Sequence, residues 1–154
     1  MKNPIALLLA ISALMLAGCS PTSDVAKADS QKSAIESVFA QRAKLKAEDE
    51  QIGLLSDQHV GGLMAIDVQN CPADFRSAWF DFLITAQSLH TRVKLVAMIA
   101  AGEGKPVTDF PSLIKFGVTD PTLGRYMLAA LSKEDEAWDK VERTAMNYDV
   151  MPEH

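Results

Sequence analysis

Apolar residues recur with a helical period along much of the chain, most regularly after Asn70-Cys71-Pro72. Phe75, Ala78, Trp79, Phe82, Ala86, Leu89, Val93, Val96, Ala97 and Ala100 fall on one face when successive residues turn by 100°. Pro72 suits the first helical position and Asp74 the first turn, so the pattern predicts a helix of about thirty residues ending at Gly102. Phe80, Ile84, Leu95 and Met98 form a second apolar line on the opposite side. Ser77, Asp81, Thr85, Ser88 and Arg92 bound that line on one flank, and Arg76, Gln87, His90 and Lys94 on the other. Either a further helix covers the line, or it lies open as an apolar strip with a polar rim, the make-up of a partner surface.

Upstream, Ile35, Val38, Phe39, Leu45, Ile52 and Leu55 set a thinner seam between Ser33 and about His59, interrupted by Arg42 and Asp49. The charged run from Lys44 to Glu50 is a solvated helix face or, less simply, a recognition patch. Gly61-Gly62 is expected to end this helix, leaving Leu63 to Val68 as an apolar connector, or a short strand with no second strand to pair with.

Downstream, Gly102 to Pro106 is a turn rich in breakers, and Asp109-Phe110-Pro111 starts a short helix through Lys115 or Phe116, closed by Gly117. Asp120-Pro121 offers a cap followed by proline at the first helical position. Leu123, Met127, Leu131, Glu134, Trp138, Val141, Ala145 and Tyr148 then keep one helical phase, predicting a helix from about Pro121 to Asn147. Ser132, with Asp135 and Glu136 behind it, argues for a kink or a fresh cap on the way. The expected fold is all-α: a small bundle of three long helices plus one short one, occupying residues 32–154 as a single domain.

The N-terminus has a different grammar. Met1-Lys2-Asn3 precedes an apolar run from Ile5 to Leu16, with small residues after it, which is the layout of a secretory signal. A spanning helix would need about twenty apolar residues, more than this run supplies. Leu16-Ala17-Gly18-Cys19 resembles the lipobox of bacterial lipoproteins, a likeness confined to this leader. The resemblance implies cleavage after residue 18, lipidation of Cys19 with several acyl chains, and export across the inner membrane. Ser20 rather than Asp after the cysteine implies sorting, in the Gram-negative members, to the outer membrane facing the periplasm. Residues 19–31 then read as a flexible tether, since Val25 is their one large apolar side chain.

Removing the one lysine of residues 1–18 from a chain of net charge −5 leaves −6, which argues against nucleic acid and against adhesion to anionic headgroups. With Cys19 acylated, Cys71 has no intramolecular partner; it is either a buried residue of the helix start or a thiol for a partner protein. Cys71-Pro72-Ala73-Asp74-Phe75-Arg76-x-Ala78-Trp79, together with Trp138-x-x-Val141-Glu142-x-x-Ala145, is similar to small helical bacterial proteins of unknown function. That likeness implies a helical fold and brings no activity.

No motif for catalysis, cofactor or metal binding stands out. Glu-x-x-His, His-Glu-x-x-His, Cys-x-x-Cys-His and Gly-x-Ser-x-Gly are all absent from the sequence, and Gly102-x-Gly104 follows a helix rather than a strand. His59, His90 and His154 are scattered, Met64, Met98 and Met127 are expected to fill core gaps, and Asp67 and Asp74 have no evident cleft. The expectation is a non-enzymatic, membrane-tethered interaction or accessory module without cofactor or metal, its partner an envelope protein and its oligomeric state open. The rival is a binder of a small apolar or amphipathic ligand, with Phe75, Trp79, Phe82 and Trp138 as pocket walls.

Overall fold

The computed structural model describes residues 22–52, 57–105, 107 and 110–151, so the leader, Cys19 and Leu55 lie outside the described residues. Within them the chain is a small all-α bundle without strands, built from α1 (Thr22–Ile52), α2 (Asp57–Ala65), α3 (Ala73–Gly102), α4 (Phe110–Thr119) and α5 (Pro121–Met146). None of these helices is long and apolar enough to cross a membrane. The chain divides into two units at Ser30/Gln31. In the first, Asp24 to Ser30 are exposed and helical, where coil was expected. Low apolar content denies a segment a core, but Ala26, Lys27 and Ala28 still favour helix.

In the second unit α3 is the central member, packed most extensively along α5. Its expected face is the one it buries: Phe75, Ala78, Trp79, Phe82, Ala86, Val93, Val96 and Ala100 are all inside, with Leu89 and Ala97 partly so. Pro72 is the N-cap residue itself, one position earlier than expected, and the Asp74 carboxylate accepts from the Phe75 amide at 2.9 Å. At the other end Gly104, at φ 73°, turns the chain left-handed so that Lys105 N donates to Ala100 O and Gly104 N to Ala101 O. These two bonds satisfy carbonyls that the last turn would otherwise leave open.

Two glycine expectations change, and the last helix runs unbroken as its apolar phase predicts. Gly61-Gly62 does not end a helix; both lie inside α2, a second short helix, which also takes in Leu63 to Ala65 of the supposed connector. Gly62 packs against α1, where a Cβ on it would lie 2.6 Å from Cδ2 of Leu45, the movable end of that side chain. Likewise Gly117 does not close α4, which continues to Thr119. It is instead the crossing point with α5: a Cβ on Gly124 would lie 2.4 Å from Gly117 O. α5 itself is continuous through Ser132, starting from an Asp120 side chain that accepts from the amides of Thr122 and Leu123.

The interior forms two clusters. One gathers Ile35 and Val38 of α1, Leu63 of α2, Phe75, Trp79 and Phe82 of α3, Val141 and Ala145 of α5, and Val150. The other gathers Val93, Val96 and Ala100 of α3, Val107, Leu113 and Phe116 of α4, and Met127 of α5.

Candidate functional site

The outer line of α3 is open. Phe80 is 62% exposed, Ile84 54%, Leu95 46% and Met98 72%. Phe80 and Met98 are eighteen residues apart, five helical turns, so they stand at the same angle on a strip roughly 27 Å long. The strip's distal half borders a groove between α2 and α3, where Leu95 and Met98 face Val60 and Gly61.

Both rims are braced. Asp57 at the start of α2 accepts from Lys94 Nζ at 2.7 Å and pairs with His90 Nε2 at 2.8 Å. These hydrogen bonds, that of Lys94 first, hold the Asp57 carboxyl below its ordinary value. On the other rim Lys140 of α5 reaches Asp81 at 2.7 Å, and the Arg92 guanidinium stacks 4.4 Å from the Tyr126 ring centroid while donating to Tyr126 O. Arg76 donates to Gln69 O at 3.1 Å. Exposed pairs of this kind add little stability. They tie α3 to α2 and to α5 on either side of the strip, whose outward direction follows from burial of the opposite face of α3.

Phe75, Trp79, Phe82 and Trp138 come together as core. Phe75, Trp79 and Phe82 are at most 1% exposed. Trp138 lies 5.1 Å from Phe82, 6.4 Å from Trp79 and 5.6 Å from Phe39, each in an edge-to-face arrangement. Arg42 of α1 covers this group from outside, its guanidinium carbon 3.4 Å from the Trp138 centroid. Trp138 Nε1 in turn donates to Glu142 at 2.6 Å. Burial pulls the Arg42 guanidinium below its ordinary value, against the opposing influence of Glu134 and Glu142. In the sequence Arg42 is an interruption of the α1 seam; the structure makes it the lid of the aromatic core. The signal is present in the stripe itself, since an arginine at an apolar position suggests an aromatic partner.

The remaining candidates have structural roles. Cys71 is buried, and its thiol is pushed up to about 11, first by burial and then by Asp67, which leaves little thiolate for reaction. Asp67 accepts from the Gln69 amide, and Asp74 from Tyr148 Oη at 2.8 Å as well as from Phe75 N. Met127 fills the second cluster as expected, but Met64 and Met98 are 62% and 72% exposed and fill no core gap. His59 lies within α2 rather than at a helix end, and His154 is outside the described residues. Among the described residues no three His, Cys, Asp or Glu side chains gather where a metal ion could sit. No known protein family, curated protein or solved structure matches the chain.

Proposed function

We propose that this chain is a lipid-tethered cell-envelope protein, held at the outer membrane through Cys19 and facing the periplasm, that works without catalysis as a protein-interaction or accessory module. The lipobox resemblance at Leu16 to Cys19 supports the tether. The observation that carries the interaction reading is the strip on α3: four large apolar side chains in one line on the central helix, each 46% or more exposed, between braced polar rims. A partner helix or loop that covered it would bury an apolar centre inside a polar ring, the usual anatomy of a recognition patch. The rival reading, a small apolar ligand held among Phe75, Trp79, Phe82 and Trp138, has less support because those rings fill the space between them.

Phe80→Asp tests the strip. With Phe80 62% exposed, the variant should keep its thermal midpoint and lose co-purification of its envelope partner. A stable variant that retains every interaction would remove the strip from consideration. Cys19→Ser tests the anchor: it should release the domain to the soluble periplasmic fraction or leave it uncleaved in the inner membrane. If it fractionates like acylated wild type at the mature mass, the tether is wrong.

A further inference from the structure

We propose that the corner formed by α4 and the first half of α5 is a membrane-docking surface, which lies on the headgroup and acyl boundary of an anionic phospholipid bilayer. The inference rests on the tethered reading and adds a second contact with the same membrane.

The corner begins with the Gly117–Gly124 crossing, where the two backbones approach too closely for any side chain to sit between them. The apolar side chains beside the crossing therefore cannot all turn inward. Ile114 is 39% exposed, Val118 76% and Leu128 61%, and every residue lining the shallow groove between them is apolar or glycine. Residues 110–131 carry three charged side chains, Lys115, Asp120 and Arg125. The Asp120 carboxylate accepts two amide N–H groups at the start of α5, so its charge is held at that helix N-terminus. Lys115 and Arg125 remain, both exposed. In a chain of net charge −5, this is a local apolar patch whose exposed cations, Lys115 and Arg125, are next in sequence to the groove residues Ile114 and Gly124.

That combination complements an anionic phospholipid interface, where apolar side chains enter the acyl boundary and cations meet headgroup phosphates. The cations on the rims of the α3 strip are instead engaged within the protein, Lys94 by Asp57, Lys140 by Asp81, Arg92 by Tyr126 and Arg76 by Gln69 O. Three partly exposed side chains bind a bilayer weakly by themselves. A lipid tether raises the effective concentration of the surface enough for weak docking to be populated.

The test uses the mature chain purified from membranes and reconstituted into vesicles of phosphatidylethanolamine and phosphatidylglycerol. Val118→Cys and, separately, Phe80→Cys carry a fluorescent label, with buried Cys71 as the unreactive background. A nitroxide on the acyl chains should quench the label at 118 at least threefold more than the label at 80. Lys115→Glu, Arg125→Glu, or replacing phosphatidylglycerol with phosphatidylcholine should weaken docking by about fivefold for each pairing of a cation with an anionic headgroup that is removed. An acylated chain that floats with the vesicles while both labels are quenched equally overturns docking alone. Protection from aqueous iodide without lipid quenching would assign the corner to a protein surface and overturn it too. An unacylated chain, recognised by its mass, removes the tether and the docking with it.

Discussion

The two clusters of the interior share α3 and α5 but are closed by different means. The first is closed by size: Phe39 meets Phe75 and Trp138 edge to face, Trp138 meets Phe82 and Trp79 the same way, and Arg42 lies across the outer ring. Among the described residues the second has Phe116 as its one ring and is closed by proximity, through the Gly117–Gly124 crossing and Lys105, whose ammonium is 5.8 Å from the Phe116 centroid. Large rings fill the space between the helices of the first cluster, and Phe80 and Ile84, left outside it, stand on the opposite face of α3. Close backbones leave no room, and so Ile114, Val118 and Leu128 remain in solvent. The difference teaches that surplus apolar surface in a small bundle can come from how tightly its helices cross, as well as from how hydrophobic its sequence is.

The largest effects should come from the first cluster. Phe82→Ala or Trp79→Ala should each cost about 3–5 kcal/mol in urea unfolding, whereas Leu113→Ala in the second should cost about 2–4 kcal/mol. If the order reverses, size is not what closes the first cluster. Next come the glycines. Gly124→Ala should destabilise by about 1–3 kcal/mol because its Cβ meets backbone oxygen. Gly61→Ala, with nothing within 4 Å of the added carbon, should stabilise α2 by about 0.5–1 kcal/mol. Equal effects at the two sites would show that the crossing can relax.

Arg42→Ala should follow at about 1–2 kcal/mol, from the lost stacking on Trp138 together with its aliphatic cover, and a Leu in its place should recover part of that. Full recovery by Leu would make the charge irrelevant. The smallest effects concern pH. Asp57 is held below its ordinary value, so its contribution is present above the unfolded pKa and lost as pH falls through the folded one. Burial raises Glu134 above its ordinary value, so its protonation favours the fold and stability rises as pH falls through its folded pKa. Asp57→Asn should flatten the acid loss and Glu134→Gln the opposing gain; thermal midpoints between pH 3 and 7 would show whether the two slopes have opposite sign.

How much of this is legible in the sequence follows from what sets each feature. Both long helices of the interior, Ala73–Gly102 and Pro121–Met146, can be read with their faces because period, breakers and caps act within a few residues of one another. Gly62, Gly117 and Gly124 cannot, because a glycine that ends a helix and one that admits a neighbour look alike until the neighbour is placed. The aromatic residues and the outer strip stand out as groups. Which of them face inward follows from the stronger apolar face, whereas the cross-helix pairs Asp57–Lys94 and Asp81–Lys140 join residues far apart in sequence and cannot be read from it.

Cys71 turns the first cluster into something that can be timed. Its sulfur is shut inside that cluster, and the second cluster holds no thiol. Alkylation in the folded protein must wait for the α3 start and its neighbours to open, so the modification rate, divided by the rate for an unfolded thiol, gives the free energy of that opening. If the second cluster can melt while the first stays shut, helical signal will fall before Cys71 is modified. If the bundle opens as a whole, the two signals will share one midpoint.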